Sequence, residues 1–248
     1  MNTEAVVQYL VDWLRDMVNK AGAKGIVFGV SGGIDSAVAG VLAKKAFPDN
    51  CLGLILPCET SLTDLIHSKV FVEEFNIDYK IIELDTPYNI LSTEFDTHFG
   101  RENSNIKFVK ANIKPRLRMI TMYYAAQTYN YLVLGTTNKS ELKVGYSTKY
   151  GDSGVDLQVL GDLVKREVYE LARYLKIPDI IIDKAPSAGL WEGQTDEKEM
   201  GINYDQLDSY IETGEGSPEV IKIIETLFQK SEHKRRLPPI PIIPSEMR

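Results

Sequence analysis

A repeated alternation of short apolar runs with longer amphipathic stretches is the feature that most constrains this fold. Apolar runs of about the length of a buried strand lie at 25–30, 51–56 and 131–134, and 79–84 is predicted as a further strand. Apolar residues at helical spacing are found at about 4–19, 37–47, 61–75, 87–98, 111–129, 165–176, 204–212 and 218–230. Strands that alternate with helices pair in parallel through right-handed crossovers. The pattern therefore predicts an α/β fold, a doubly wound parallel sheet with helices on both faces.

The bulk composition limits the classes of partner. The 248 residues are 44% apolar and 25% charged, with a net charge of −7, and we expect one domain spanning 1–248. This acidic balance disfavours nucleic-acid binding but permits a local anion site. No apolar run approaches the ~20 residues that cross a bilayer, and no signal pattern is present. Two cysteines, Cys51 and Cys58, are too few for a disulfide framework, so we expect buried thiols, a cytoplasmic location and no membrane partner.

Two segments interrupt the alternation. Residues 136–164 are polar and glycine-rich without a clear period, and loops of this length are uncommon unless they have a function. The tail at 233–241 is basic and proline-rich, and it is not expected to form a regular helix.

The segment after the first predicted strand carries the sharpest chemical signal. It comprises Gly29, Val30, Ser31, Gly32, Gly33, Ile34, Asp35 and Ser36, and it leads directly into a helix. Ligands of open α/β sheets bind beyond the carboxyl ends of strands, and a helix N-terminus attracts anions. Glycines let backbone amides approach phosphate oxygens, while Asp35 suits Mg²⁺, which prefers oxygen ligands. The loop predicts a nucleotide phosphate site, with a serine-capped helix after a tight turn as the structural alternative.

Two other glycine motifs do not fit. A Walker A loop requires a lysine after its last glycine, and none follows Gly33. The dinucleotide motif GxGxxG is also missing from this segment.

The arrangement SGGxDS between a strand and a helix resembles the pyrophosphate-binding loop of the N-type ATP pyrophosphatases. That superfamily includes NAD, GMP and argininosuccinate synthetases and tRNA-thiolating enzymes. Further segments resemble the ammonia-dependent NAD synthetases in particular: 112–119, 134–141 with 145–156 and its run GYSTKYGD, 184–190 with 194–197, and EHKR at 232–235. The resemblance covers about residues 25–236 and implies an adenine-nucleotide α-hydrolase-like, Rossmann-like fold.

This resemblance implies ATP-dependent amidation of deamido-NAD (nicotinic acid adenine dinucleotide) with ammonia, through an adenylate, giving NAD, AMP and pyrophosphate. ATP contacts are implied for the loop at 29–36 and for Thr136, Lys165 and Ser187. Deamido-NAD contacts are implied for Arg116, Lys149, Asp156, His233 and Lys234. Asp35 and Glu141 would hold Mg²⁺, and together with Lys165 they would be the catalytic residues. Lys165 would neutralise charge as pyrophosphate leaves, and the cations Arg116 and Lys149 suit a ligand with a pyrophosphate and a carboxylate.

Taken singly, these residues also have ordinary structural interpretations. Lys165 at a helix start would be solvated, and His233 would lie on the surface. Arg116 and Arg118 would pair with carboxylates such as Glu94 or Asp96. The long helix also carries residues that we expect in the core or in a subunit interface, namely Met119, Met122, Tyr123 and Tyr124.

Three departures from the family pattern stand out. The stretch 56–60 lacks the acidic, glutamine-rich character that is common in the family, which puts adenine and ribose contacts there in question. Gln158 replaces a more usual proline. Pro115 replaces an alanine and predicts a kink at the start of its helix.

Several expectations concern organisation. About 24 residues precede the first predicted strand, too few for the nitrilase-like domain that serves glutamine-dependent relatives, so ammonia itself is the expected nitrogen donor. The family works as a homodimer, which the apolar long helix would fit. Segments 143–155 and 190–200 are predicted lids over the adenylate.

Two rival interpretations stay open from the sequence. A tRNA-thiolating enzyme would need suitably spaced cysteines and a basic face. A nucleotide-binding sensor without turnover would need neither the pair Asp35 and Glu141 nor Lys165.

Overall fold

The computed structural model describes residues 1–100, 105–191 and 193–248. The strands are β1 (Gly25–Gly29), β2 (Cys51–Ile55), β3 (Asp78–Ile81), β4 (Tyr131–Gly135) and β5 (Leu157–Gln158). The helices are α1 (Thr3–Lys20), α2 (Ile34–Ala46), α3 (Leu62–Glu74), α4 (Asp85–Phe99), α5 (Ile106–Ala111), α6 (Ile113–Tyr129), α7 (Lys139–Val144), α8 (Lys165–Tyr174), α9 (Asp179–Ile182), α10 (Asp196–Met200), α11 (Tyr204–Thr213), α12 (Pro218–Lys230) and α13 (Glu232–Arg235), and a 3₁₀ turn spans Ser245–Met247.

The strands form one parallel sheet in the order β3-β2-β1-β4-β5. Strand β1 lies between β2 and β4, with Val27 opposite both Leu52 and Val133. From β1 the chain therefore adds β2 and β3 on one side of the sheet, and it then returns to add β4 and β5 on the other side. Such a switch point leaves a crevice at the carboxyl ends of the central strands. The sheet confirms the predicted doubly wound α/β fold.

The two faces of the sheet are covered by different helices. Because successive strand side chains point to opposite faces, β1 contributes to two separate cores. Ile26 and Phe28 pack in a core built largely from α1, α2, α3 and α8. Val27 packs in a second core with α4 and α6. The α6 helix thus lies directly behind β1 and β4 and extends to the crevice.

A third, smaller core lies at the end of the chain. It joins Val144 of α7 to Met200 and Ile202 and to apolar residues of α11 and α12. Tyr204, 6% exposed, belongs to this core and begins α11. This core therefore places the first turn of α11 beside α7. Across the described ranges, no helix combines the length and apolarity needed to cross a membrane.

Several elements differ from those predicted. Strand β3 is shorter than predicted and exposed, as suits a sheet edge. The segment 136–164, predicted without regular structure, contains α7 and the two-residue strand β5. The tail prediction was wrong at one point, because Glu232–Arg235 forms one helical turn. Pro115 lies in the first turn of α6, where its missing N–H has no helical partner to lose. The helix predicted over 111–129 is interrupted at Asn112, between α5 and α6.

Candidate active site

A cavity of about 590 Å³ opens at the switch point, beyond the carboxyl ends of β1, β2 and β4. Its wall is formed by the β1–α2 loop, the first turns of α6, the segment after α7, and the loop at 184–190. The cavity is therefore lined by segments from across the chain that the sheet brings to one edge.

The loop between β1 and α2 is held by its own serines. Ser36 Oγ donates to the Gly33 carbonyl (2.9 Å) and lies 2.9 Å from Ser31 Oγ. Gly32 has a φ of +72°, and a Cβ there would lie 2.5 Å from the carbonyl oxygen of Asp64 in α3, so the position favours glycine. Among the described residues no side chain caps α2. The first-turn amides of α2 are therefore available to an anion.

Lys165 lies at the centre of a buried charge cluster. Its side chain is 2% exposed, and its ammonium donates to Asp35 Oδ2 and lies 3.9 Å from Glu141 Oε1. Asn138 Nδ2 donates to the other oxygen of Asp35 (2.9 Å). Considered by itself, Lys165 was predicted to be solvated. In the structure it is instead buried between two carboxylates.

A capping box aims Glu141 into this cluster. The Asn138 side chain accepts from the Glu141 backbone N–H (3.0 Å), and Glu141 Oε2 accepts from the Asn138 N–H (3.1 Å). The pattern N-x-x-E at a helix start is a sequence signature of such a box. The same residues that begin α7 therefore fix the position of both carboxylates of the cluster.

The protonation of this cluster is shifted by burial and by mutual charge. Burial, then the charge of Asp35, raises the pKa of Glu141 to about 8, although Lys165 and the Asn138 amide act in the opposite direction. Burial alone lowers the pKa of Lys165, but the charges of Asp35 and Glu141 outweigh it and raise that pKa above its ordinary value. Two carboxyl groups held this close favour a cation between them.

The donor set at this position fits Mg²⁺. Asp35 and Glu141 present carboxylate oxygens to one point, which the Lys165 ammonium now fills. Carboxylate oxygens together with phosphate oxygens of a bound nucleotide are the usual ligands of this ion. The free amides of α2 lie next to Asp35, where such phosphates would sit.

The cavity wall contains most of the residues predicted for the site. They are Gly29, Val30, Ser31, Gly33, Ile34, Asp35, Ser36, Arg116, Thr136, Glu141, Lys149, Lys165, Ser187, His233 and Lys234. Gly32 turns instead against α3. Asp156 accepts from the Tyr123 hydroxyl (2.9 Å) and from the Val133 N–H (2.8 Å). Asp156 therefore ties α6 to β4 and does not belong to the wall.

The predicted cations Arg116 and Lys149 lie side by side in the cavity wall. The Arg116 guanidinium donates to the carbonyl oxygens of Asn112 and Lys149 (both 3.2 Å), so Arg116 and Lys149 are neighbours. Arg118 donates to the Leu56 carbonyl (3.1 Å). The alternative that these arginines pair with Glu94 or Asp96 was wrong, because both bind backbone carbonyls near the cavity.

The tail closes one end of the cavity. Lys234 Nζ donates to the carbonyls of Gly145 (2.7 Å) and Ser147 (2.6 Å). The single turn of α13 thus holds the tail against the segment that follows α7, one of the two predicted lids. His233 lies beside it and lines the cavity.

The other predicted lid, 190–200, is anchored at its beginning; residue 192 lies outside the described residues. Lys114, 3% exposed, donates to the Leu190 carbonyl (2.8 Å) and pairs with Glu59 (2.8 Å). Lys184 pairs with Asp64 of α3. Two lysines therefore hold the loop that carries Ser187 against the cavity. That either segment moves as a lid stays a prediction.

Sequence reasoning assigned no role to several polar residues that line or border the cavity. Among them are Lys114, Tyr146, Lys184, Asp196 and Tyr204. All except Tyr204 lie inside the segments on which the family resemblance was based, so a signal was available. Tyr204 carried only an apolar helical pattern.

The fold and this cavity define a class: a Rossmann-like α/β protein with a glycine-rich phosphate loop and a carboxylate pair at its switch point. Three comparisons narrow it. The NAD synthase family model matches residues 6–238. An NH(3)-dependent NAD(+) synthetase of Syntrophomonas wolfei is 60% identical, with both chains fully covered.

Two solved structures are similar over nearly the whole chain. NMN synthetase from Francisella tularensis is 38% identical, with a TM-score of 0.92 over 98% of this chain and 100% of that one. The NH3-dependent NAD synthetase from Campylobacter jejuni is 29% identical, with a TM-score of 0.81 over 98% and 100%. The chain therefore belongs to the NAD synthase family, and neither rival interpretation holds.

Proposed function

We propose that this chain amidates the nicotinate carboxylate of deamido-NAD with ammonia, using ATP and giving NAD, AMP and pyrophosphate. The observation that carries the proposal is one cavity that holds a phosphate loop, the cluster around Lys165, and the cations Arg116 and Lys149. The reaction requires that two anionic ligands, ATP and deamido-NAD, be held in line. The cavity provides amides and Lys165 for one of them and the cations Arg116 and Lys149 for the other. Membership of the NAD synthase family supports the same reaction.

Each part of the cavity has a task in this reaction. Amides of the loop and of the first turn of α2 would bind the phosphates of ATP, together with the hydroxyls of Thr136 and Ser187, which line the same cavity. The Lys165 ammonium would balance the charge that develops as pyrophosphate leaves. Because the substrate carboxylate itself attacks the α-phosphate, the protein needs no nucleophile and contributes chiefly by positioning.

Asp35 and Glu141 are the residues that would hold Mg²⁺. When bound, this ion would neutralise phosphate charge and orient the triphosphate. The Lys165 ammonium, which now lies between both carboxylates, would then be free to contact phosphate oxygens.

Arg116 and Lys149 are proposed to bind deamido-NAD. The Arg116 guanidinium contacts the Lys149 backbone, and both side chains carry a positive charge that suits a pyrophosphate and a carboxylate. His233 and Lys234 of the tail are proposed to cover this ligand. Asp156, although outside the cavity wall, would act by holding α6 in place.

The test is product identity. Purified protein given deamido-NAD, Mg-ATP and ammonium is expected to release NAD and AMP in equal amounts. Lys165→Met is expected to lower the rate by about 100-fold or more, because electrostatic groups of this kind contribute that much. Lys139→Met removes a half-exposed lysine that pairs with Asp162 (2.9 Å) and does not line this cavity, so it should retain activity. Release of ADP in place of AMP would contradict the proposal.

A second candidate substrate is the mononucleotide of nicotinate. The observation that favours it is the similarity to the Francisella NMN synthetase, which exceeds the similarity to the Campylobacter NAD synthetase in both identity and TM-score. The adenylation and amidation chemistry would be the same, because the reacting carboxylate belongs to the nicotinate ring. Only the adenosine end of the second ligand would be absent.

Competition separates these candidates. With deamido-NAD and nicotinate mononucleotide supplied together at equal concentration, the product ratio reports the ratio of kcat/KM. We expect NAD to dominate, because the relatives at highest identity carry the name NAD synthetase. A dominant mononucleotide product would assign the chain to the second reaction.

The remaining parts of the proposal concern the nitrogen donor, the oligomeric state and the cellular location. Ammonia is proposed as nitrogen donor because the relatives are named for it, and glutamine should not replace it in the purified protein. A homodimer and a cytoplasmic location are also proposed. The outward face of α4 and α6, described below, supports the dimer, and two free thiols at Cys51 and Cys58 suit a reducing compartment.

A further inference from the structure

A second cavity lies beside α7 and has no role in the proposed reaction. Its volume is about 510 Å³, which is within the usual range for small-molecule sites. It is formed where α7, α11, α12 and α13 meet, and none of its lining residues lines the active-site cavity. Its wall holds no carboxylate from the described part of the chain, but it does contain the cations Lys139, Lys143 and Arg235 and the aromatic residues Tyr210 and Phe228.

Helix α7 and the tail turn α13 each border both cavities. Glu141 and Gly145, one turn apart, line the active-site cavity, whereas Lys143 lines the second cavity. Residues four apart share a face of a helix and residues two apart do not, so α7 presents a different face to each cavity. In α13, Lys234 lines the active-site cavity and Arg235 the second. A ligand in the second cavity would therefore contact the two elements that also border the active site.

The ammonium of Lys143 has no anionic partner. It lies 4.5 Å from the centroid of the Phe228 ring and 5.7 Å from that of the Tyr210 ring, and it forms no ion pair with any described residue. Lys139, by contrast, is paired with Asp162 (2.9 Å). Aromatic rings offset only part of a positive charge, so Lys143 remains available to an anion.

The guanidinium of Arg235 is a second cation without a carboxylate. Its nitrogens donate to a hydroxyl and to backbone carbonyls, which are all uncharged acceptors. Glu232, on the same turn, is paired with Arg236 (2.8 Å). The guanidinium lies 4.2 Å from the centroid of the Phe228 ring, which Lys143 also faces. The two cations therefore meet at one aromatic side chain in the wall of the cavity.

We propose that this cavity binds a phosphate monoester that carries a planar ring, with the phosphate held by Lys143 and Arg235. Such an ester has nearly two negative charges at neutral pH and three acceptor oxygens, which match two cations without carboxylates. The cavity is much larger than a phosphate ion, and its aromatic wall at Tyr210 and Phe228 favours a ring in the remaining space. The site does not depend on the reaction proposed above.

Binding at this site would also affect the tail. The ligand would join Lys143 of α7 to Arg235 of α13 and so hold α13 in place. Lys234, next to Arg235, already donates to the carbonyls of Gly145 and Ser147 at the active-site cavity. Occupation of the second cavity should therefore slow the opening of the tail.

The experiment titrates phenyl phosphate into the isotope-labelled protein and follows amide chemical shifts by NMR. Shift changes are expected in α7 and α13. Lys143→Met should raise the Kd about tenfold or more, because a contact between charged groups is lost. Lys222→Met removes an exposed lysine of α12 outside the cavity and, as the matched control, should leave the Kd within about twofold. Inorganic phosphate should bind several-fold more weakly than the phenyl ester, because it has no ring.

Hydrogen exchange read by mass spectrometry tests the effect on the tail. A near-saturating concentration of phenyl phosphate should slow amide exchange in α13 several-fold in wild type, because a ligand that binds only the closed form stabilises it. The same concentration should have no such effect in Lys143→Met. Unchanged exchange in wild type at saturation would show that the site is not coupled to the tail and would overturn that part of the inference.

The variants also separate this cavity from the phosphate loop, which is a second place where the probe can bind. Affinity that is lost in Lys165→Met and retained in Lys143→Met would place the probe in the active site and overturn the proposal. Equal affinity for phenyl phosphate and inorganic phosphate would overturn the assignment of a ringed ester. If Lys143→Met does not fold, Phe228→Leu replaces it. That variant should lose the preference for the phenyl ester, and an unchanged preference would contradict the site.

Discussion

At the scale of single residues, folding strongly changes the pKa of Glu141. Burial and the neighbouring Asp35 raise its pKa to about 8, from an ordinary value of 4.5. A carboxyl group whose pKa is raised by folding stabilises the protein fully below its unfolded pKa and loses that contribution as pH rises through the folded value. Without Mg²⁺, the contribution of Glu141 to stability should therefore fall between about pH 4.5 and 8.

Urea unfolding at a series of pH values measures this effect. Relative to Glu141→Gln, the free energy of unfolding of wild type should fall by at most about 1.4 kcal/mol per pH unit in that window and level off above it. Glu212→Gln, which removes an exposed carboxylate paired with Arg166, should leave the slope unchanged. Saturating Mg²⁺ should remove the slope, because it favours the ionised carboxylate. If the free energy of unfolding of wild type and of Glu141→Gln changes with pH in the same way, the pKa of Glu141 is not raised by folding.

At the scale of elements, the phosphate loop depends on how closely it packs against α3. Gly32→Ala combines a left-handed φ with a Cβ only 2.5 Å from the Asp64 carbonyl. Gly214→Ala has nearly the same φ, +75°, but its Cβ would have no neighbour within 4 Å. The two substitutions therefore share the backbone strain and differ in the clash.

We expect Gly214→Ala to lower the free energy of unfolding by about 1 kcal/mol, from strain alone. Gly32→Ala should lower the free energy of unfolding by about 2–4 kcal/mol, since the steric clash adds to the backbone strain. This substitution should also weaken ATP binding. If urea unfolding shows the same loss of free energy of unfolding for both variants, the phosphate loop can move away from α3 at no energetic cost.

The loop at 184–190 depends on Lys114 in a similar way. Lys114→Met keeps the length of the side chain but leaves the Leu190 carbonyl and Glu59 without their cation. Amide hydrogens of this loop should exchange about tenfold faster or more, because a hydrogen bond from a charged group is lost. Hydrogen exchange read by mass spectrometry tests this, with Lys139→Met as the surface control. Unchanged exchange at the loop would show that other contacts hold it.

These elements also show what the sequence could predict. Central strands, buried on both faces, appear as apolar runs, so β1, β2 and β4 were found. The edge strand β5 has two residues and no apolar run long enough to detect. The segment around Asp196 and Tyr204 could not be placed, because its position depends on the small third core and on hydrogen bonds between residues far apart in the chain. Lys165 could be assigned only through the family resemblance, since nothing local predicts that a lysine at a helix start is buried.

At the scale of the whole molecule, α4 and α6 each leave large apolar side chains uncovered. Ile120 and Tyr124 of α6 are 59% and 76% exposed, and Ile90 and Phe99 of α4 are 65% and 84% exposed. On α6 the exposed stripe continues at helical spacing to Arg116, at the cavity. An apolar face that reaches a ligand site is typical of a subunit interface, and it supports the proposed homodimer.

A two-fold dimer would use this face twice, so one substitution acts on both sides of the interface. The double variant Ile120→Glu with Tyr124→Glu should raise the dimer dissociation constant by about 100-fold or more, because like charges would meet across the interface. Tyr9→Glu, equally exposed at 68% but on α1 across the sheet, is the matched control and should stay dimeric in sedimentation velocity. Since Arg116 lies at the end of the same stripe, the double variant should also bind deamido-NAD more weakly in calorimetry, whereas ATP binding at the loop should persist. A double variant that sediments as wild type would place the interface elsewhere, and a monomeric double variant with unchanged deamido-NAD affinity would separate the interface from the site.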